Sequence, residues 1–197
     1  FALENYRDQL ASFPQTVWVS EDILLDLADS QTPQGIVAVV QKEEVGQADF
    51  SQGKFLFLED VQDPGNVGTI IRTADAAGFT GVIVSDKSAD IYSLKTLRSM
   101  QGSHFHLPIY RMSSQRLLEG AKDAGISVLA TTLSKDSVDY RELPPIENFV
   151  LVMGNEGQGI SPLMAESADQ LVHISMKGKA ESLNVAVAAG ILIFHLS

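Results

Sequence analysis

Lys54-Phe55-Leu56-Phe57-Leu58-Glu59-Asp60-Val61-Gln62-Asp63-Pro64-Gly65-Asn66-Val67-Gly68-Thr69-Ile70-Ile71-Arg72-Thr73-Ala74 is the stretch that decides the fold. Its apolar opening, unbroken from Phe55 to Leu58, reads as a strand buried on both faces. Asp63-Pro64-Gly65-Asn66 then forces a turn, and helical spacing of apolar residues follows over Val67 to Ala77, with Asn66 placed to cap that helix. The same order of strand, turn and helix repeats down the chain. Further strands are expected at Gly81 to Ser85, Phe105 to Tyr110, Ile126 to Thr131, Phe149 to Met153 and Leu171 to Ile174. Helices are expected at Leu94 to Met100, Ser113 to Ala124 and Pro162 to Ser167, with a last one from about Ser182 to Leu196. Such alternation implies an α/β fold, a mainly parallel sheet with helices on both faces.

Upstream of Lys54 the pattern is different. Ser20 to Ala28 reads as a helix capped by Ser20, with Ile23, Leu24, Leu27 and Ala28 at three- and four-residue spacing. Gly35 to Val40 is a β-branched run suited to a buried strand, and the polar stretch Gln41 to Gly53 reads as a linker. Two domains are therefore expected, over residues 1–50 and 51–197. The chain opens on Phe1 and not Met, as a segment of a longer protein would.

Composition narrows the function. With 197 residues and 45% hydrophobic, the chain can fill a real core. Cysteine is absent, which excludes disulfide frameworks, thiolate metal sites and thiol nucleophiles. The longest apolar stretch, Val185 to Phe194, is far short of the roughly 20 residues of a membrane span. A soluble, cytoplasmic protein without a membrane partner is expected. The formal charge of −11 weighs at first sight against a partner made of phosphates. Yet residues 1–50 hold nine acids against Arg7 and Lys42, a net of −7, and the remaining residues carry only −4.

Three loops at the carboxyl ends of expected strands, where open α/β sheets bind ligands, are rich in Gly and Asn. The first is the Asp63 to Asn66 turn. If Val67 opens the helix, Arg72 lies in its second turn near Gly68 and Thr69, a cation beside free amide groups at a helix start, although this loop alone is better explained by a solvated Arg on a capped helix. The second, Met153 to Pro162, spaces its glycines as Gly-x-x-Gly-x-Gly, so it is neither the dinucleotide fingerprint nor the P-loop. Its glycines let the backbone approach a ligand, and Glu156 places a charge in a tight loop. The third runs from Ile174 to Gly190. Ser182 is placed to cap the last helix, Asn184 has no helical reason to stand in its first turn, and Lys177 and Lys179 can meet phosphate, although a solvated loop more commonly explains two such lysines. Val185 to Leu192 is apolar nearly all round, which calls for burial between neighbours or in a subunit interface. His104 and His106 share a strand face by their spacing, but no third ligand joins them, so no metal site is expected. His173 and His195 have no assigned role.

At these loops the sequence resembles the SpoU (TrmH) family of RNA ribose 2′-O-methyltransferases, within the knotted SPOUT superfamily. Three motifs match in order: Asp63-Pro64-x-Asn66-x-Gly68-x-x-x-Arg72-Thr73-Ala74-Asp75, Met153-Gly154-Asn155-Glu156-Gly157-x-Gly159-Ile160, and Ser182-Leu183-Asn184-Val185-Ala186-Val187-Ala188. The resemblance covers about residues 54–197. It implies a C-terminal deep trefoil knot, a homodimer whose active sites borrow residues across the interface, and S-adenosylmethionine as cofactor. Residues 1–50 resemble the C-terminal portion of the ribosomal-protein-like RNA-binding domain that many members carry upstream. Ser175 departs from the family's usual Pro before Met176.

By the same resemblance the cofactor loops are Thr131, Thr132 and Leu133; Gly154, Asn155, Gly157 and Gly159; and Ile174 and Met176 with Leu183 and Asn184. Arg72, Asn66, Glu156, Ser182 and Asn184 match the family's catalytic set. Arg72 is expected to orient the 2′-hydroxyl and stabilise charge, since an Arg is a poor base. Asn66 is expected to position Arg72 or the ribose, and Glu156 to brace the loops. Arg72, Lys177 and Lys179, with Arg98 and Arg111, are the expected RNA contacts. Ribosomal RNA is favoured over transfer RNA. An inactive RNA-binding or ribosome-assembly factor is the main alternative, against which the intact motif residues argue. A nicotinamide oxidoreductase lacks its fingerprint here.

Overall fold

A computed structural model describes residues 6–13, 15–28, 32–42 and 46–197. The chain separates into two compact units, Phe1–Glu44 and Val45–Ser197. In the first, the described elements are a single helical turn, α1 (Arg7–Leu10), and α2 (Glu21–Leu27). Ser20 caps α2 by accepting from the Ile23 N–H, as its sequence implies. The strand expected over Gly35 to Val40 does not form: the segment has no regular structure, and Val39 is 99% exposed. A strand exists only by pairing, and no described residue of this unit supplies a partner.

The second unit holds β1 (Lys54–Leu58), α3 (Pro64–Ala76), β2 (Gly81–Val84), α4 (Leu94–Met100), β3 (Ile109–Arg111), α5 (Ser114–Ala124), β4 (Ser127–Thr131), β5 (Val138–Asp139), β6 (Phe149–Met153), α6 (Pro162–Ser167), β7 (Gln170–His173) and α7 (Val185–Leu196). The strands form one sheet in the order β3-β2-β1-β6-β4-β7-β5, and every pairing is parallel. Register follows the apolar runs: Phe55 pairs with Val150, Leu56 with Leu151 and Phe57 with Val152. Period-two alternation then splits these runs between two cores. Leu56, Leu58, Leu151 and Met153 pack with Ile70 and Ile71 of α3 and Leu192 and Ile193 of α7. Phe55, Phe57, Val150 and Val152 pack on the other face with Leu117 of α5 and Met164 of α6. Strands buried on both faces need no polar alternation, which is why they read as solid apolar runs.

Three local expectations are corrected. Phe105 to Tyr110 is not one strand: Ser103–Phe105 is a 3₁₀ turn and pairing begins at Ile109, so His104 and His106 share no strand face. Left-handed backbone at Gln101 and Gly102 turns the chain before it can extend. The α3 cap is Asp63, whose Oδ1 accepts from the Asn66 N–H at 2.9 Å, with Pro64 at the first position that Pro favours. The α7 cap is Asn184 and not Ser182, so Asn184 does have a helical reason for its place. The two-residue strand β5 was too short to register as a pattern.

Gly68 lets α3 and α4 touch. A Cβ there would lie 2.5 Å from the Thr96 carbonyl oxygen and 2.6 Å from Ser99 Cβ. Gly68→Ala should therefore destabilise the fold by about 1–3 kcal/mol despite the helix propensity of Ala, read as a lowered Tm by circular dichroism.

Candidate functional site

In an all-parallel sheet the loops after the strands open on one edge, and here they enclose a cavity of about 610 Å³. The β4 end contributes Thr131, Thr132 and Leu133. Gly154, Asn155, Glu156, Gly157 and Gly159 contribute the second wall, after β6. Ile174, Met176, Ser182 and Leu183 form the third, between β7 and α7. Sequence reasoning missed the floor: Val185, Ala188 and Leu192 also line the cavity. Their i, i+3, i+7 spacing puts them on one face of α7, a signal present in the sequence but masked by a helix apolar nearly all round. Ser134 and His173 were missed too.

The glycine loop is folded back on itself. Asn155 and Gly159 exchange both backbone hydrogen bonds at 2.9 Å, and a Cβ on Gly154 would collide with the Gly159 and Ile160 backbone. Gly159 takes a φ of +71°. Asn155 Oδ1 accepts from the Gly157 and Gln158 N–H groups at 2.9 and 3.0 Å. Its Nδ2 donates to the Asp60 carbonyl at 2.8 Å.

Asn66, Glu156 and Asn184 lie in three different motifs, and the structure joins them in one hydrogen-bond chain. Asn184 Oδ1 accepts from the Ala186 and Val187 N–H groups at the start of α7. Its Nδ2 donates to Asn66 Oδ1 at 3.1 Å, and Asn66 Nδ2 donates to Glu156 Oε1 at 3.2 Å. The Asp63 and Gln62 N–H groups donate to Oε1 and Oε2 of the same carboxylate, each at 3.1 Å. Burial raises the Glu156 pKa, but these donors outweigh it and hold the carboxyl below its ordinary value. Both ends of the Asn66 amide are thus used, and neither reaches Arg72, so of the two expected roles the structure shows no contact for the first.

Arg72 stands apart. It lies on α3, exposed, outside the cavity lining, with no hydrogen-bond or ion-pair partner among the described residues. Lys177 and Lys179 are exposed in the loop before α7, also outside the lining. Arg111 is engaged within the fold, donating to the Ser85 and Asp86 carbonyls at 3.1 and 3.4 Å. Ser175 brings a hydroxyl where the family usually has Pro. It lies 3.3 Å from His173 Nε2 and bonds Asp139, whose carboxyl the Arg141 guanidinium, foremost, and this hydroxyl hold far below the usual range. Among the described residues no three His, Asp or Glu side chains cluster as metal ligands.

Comparison with known proteins places the chain in a family. The model of the SpoU rRNA Methylase family matches residues 53–194. A relative from Bacillus subtilis (strain 168), the 23S rRNA (guanosine(2553)-2′-O)-methyltransferase RlmP, is 44% identical over 182 residues, spanning 92% of this chain and 72% of its own. The crystal structure of an AdoMet-bound rRNA methyltransferase from Sinorhizobium meliloti superposes with a TM-score of 0.88 at 35% identity, covering 99% of this chain and 76% of that one. The SpoU methyltransferase AviRb from Streptomyces viridochromogenes, in complex with AdoMet, gives 0.77 at 30% identity over 98% of this chain and 77% of its own. A family match over most of the α/β unit, together with a close relative aligned along nearly the whole chain, makes this protein a member of the SpoU rRNA methylase family.

Proposed function

We propose that this chain transfers a methyl group from S-adenosylmethionine to a ribose 2′-hydroxyl of structured RNA, with ribosomal RNA as the substrate. The observation that carries this reading is the joining of a glycine-walled cavity to the Asn66 end of α3, the helix that also bears an unpaired Arg72. The cavity suits the cofactor. About 610 Å³ is in the range of small-ligand pockets, its walls mix Leu133, Ile174 and Leu183 with hydroxyls, and the glycines allow main-chain contact. When bound, S-adenosylmethionine supplies a methyl group activated by its sulfonium.

The chain's own residues do the rest. The Asn184–Asn66–Glu156 chain holds the third loop, α3 and the glycine loop in one arrangement, which supplies the orientation that methyl transfer requires. A guanidinium is a poor base, so Arg72 orients the 2′-hydroxyl and stabilises charge on its oxygen, while the proton leaves to a phosphate oxygen or water. Lys177 and Lys179 meet the RNA backbone beside the cavity. RlmP is named for guanosine 2′-O-methylation of 23S rRNA, which favours ribosomal over transfer RNA here.

The finer architecture belongs to the same reading. Val187, Gly190, Ile191 and Phe194 fall at i, i+3, i+4, i+7 on α7, and Val187 and Phe194 are 52% and 59% exposed. A second copy of the chain covers this stripe in a homodimer, which also lets one subunit's Arg72 serve its neighbour's cavity. The sheet order supports a C-terminal trefoil knot, because β6 inserts between β1 and β4 and β7 between β4 and β5. Residues 1–50 are the C-terminal portion of a ribosomal-protein-like RNA-binding domain, a reading supported by the separate compact unit ending at Glu44. No helix among the described residues is long and apolar enough to cross a membrane, in keeping with action on ribosomal RNA in the cytoplasm.

Purified protein given S-adenosylmethionine and unmodified ribosomal RNA should yield a 2′-O-methylated nucleotide, identified by mass spectrometry of nuclease digests. Methylation of transfer RNA alone would overturn the substrate, and cofactor binding without methylation of either RNA would overturn the activity. Arg72→Ala should lower kcat by about 10²–10³-fold. Its affinity for S-adenosylmethionine, measured by calorimetry, should stay within about twofold of the wild type, because Arg72 lies outside the lining. Glu156→Gln should weaken cofactor binding about tenfold, or ~1.4 kcal/mol, since an amide turns an NH₂ toward one of the donors that the carboxylate accepts. Because the Glu156 pKa is depressed, its contribution is complete above the ordinary carboxylate value and is lost as pH falls through the folded value. Wild-type cofactor affinity measured from about pH 8 down to 5 should therefore show no titration from this group.

A further inference from the structure

Glu59 is 3% exposed and has no cationic partner among the described residues. A buried carboxylate is costly unless its oxygens are fully supplied with donors, and here three donors converge on it. Ser114 Oγ and Ser161 Oγ donate to Oε1 at 2.6 and 2.8 Å, and the Ser161 N–H donates to Oε2 at 2.8 Å. Ser161 is the cap of α6, its hydroxyl also accepting from the Met164 N–H, and Ser114 opens α5. The carboxylate thus faces two helix starts, where negative charge is favoured. Its backbone N–H donates to the Met153 carbonyl at 2.9 Å, the last residue before the glycine loop.

The next residue completes the arrangement. Asp60 takes a left-handed φ of 59°, unusual for a residue with a side chain. Its carbonyl accepts from Asn155 Nδ2, while its own amide and carboxylate are both held by Ser85 Oγ, at 2.8 and 2.7 Å. Glu59 and Asp60 therefore grip the glycine loop at both ends: at Met153 and Asn155 where it begins, and at Ser161 where it ends. None of these atoms lines the cavity except through Met153 and Asn155.

We propose that Glu59 is a positioning residue for the cofactor loop: through Ser161 its carboxylate sets the Gly154–Gly159 wall, with Asp60 holding the other end. This rests on the reading of the cavity as the S-adenosylmethionine site. A carboxylate accepts from all three groups at once, whereas an amide that keeps its oxygen toward the Ser161 N–H turns its NH₂ toward the two hydroxyls, reverses both of those bonds and gives up their charge assistance.

The test compares Glu59→Gln with Ser114→Ala, which removes a donor from outside the loop, and with Ser161→Ala, which removes one from within it. Two readouts are used: affinity for S-adenosylmethionine by calorimetry, and amide hydrogen exchange. Glu59→Gln should weaken binding at least tenfold and speed exchange at least tenfold at Gly157, Gln158, Gly159 and Ser161, while the β6 amides keep wild-type protection. Ser161→Ala should follow it in both readouts, and Ser114→Ala, which leaves both Ser161 bonds in place, should change each at least threefold less. Unchanged loop exchange in a folded Glu59→Gln protein, or equal losses of affinity in Ser114→Ala and Ser161→Ala, overturns the proposal; the serine pair decides the matter if Glu59→Gln does not fold. A wild-type protein that fails to bind S-adenosylmethionine overturns the cofactor reading instead, and the exchange pattern still judges the grip on the loop.

Discussion

The oxygen of the Asn184 amide is taken by the start of α7, and that single commitment sets the direction of everything bonded to it. With Oδ1 accepting from two backbone N–H groups, Nδ2 can only donate, so Asn66 must present its oxygen to Asn184 and its nitrogen to Glu156. The chain ends on a carboxylate that accepts from two further backbone N–H groups. No amide in it can flip without leaving a donor facing a donor. One helix cap thereby fixes the relative placement of three loops that lie far apart in sequence.

This explains which parts of the molecule were legible from its residues. Buried parallel strands announce themselves, because burial on both faces demands unbroken apolar runs such as Phe55 to Leu58 and Phe149 to Met153. Caps are less readable. Asp63 and Asn66 are both good capping residues three positions apart, and only the geometry of Pro64 at the first helical position assigns the cap to Asp63. At α7 the expected cap was Ser182, but the cap is Asn184, which is also part of the site chain. Gly35 to Val40 had strand composition but no strand to pair with among the described residues of its unit, and composition cannot report a partner.

The three motifs were legible as glycine- and asparagine-rich loops, yet their convergence was not. The cavity exists because β6 lies between β1 and β4, and β7 beside β4, an order that no local spacing encodes. Glu59 was hidden for a similar reason. An acid after a strand normally suggests a solvated turn, and its burial follows only from the placement of two serines, 55 and 102 residues further on.

Charge shows the same separation between totals and placement. A formal −11 describes the whole chain, but a phosphate at the cavity responds mainly to the charges within about 10 Å of it. Several acids near the site are already engaged: Asp63 accepts from Lys95 Nζ at 2.7 Å, Asp60 lies 3.5 Å from Lys87 Nζ, and Glu156 and Glu59 are enclosed by hydrogen-bond donors. Arg72 has no such partner among the described residues. An acid whose charge is absorbed by nearby donors repels a phosphate less than its formal charge suggests, whereas a free guanidinium attracts one in full. Few phosphate contacts of this kind give weak affinity for generic RNA and a shallow dependence on salt. On the proposed reading, discrimination comes from the shape of a folded RNA held against the cavity, and not from the total charge of the protein.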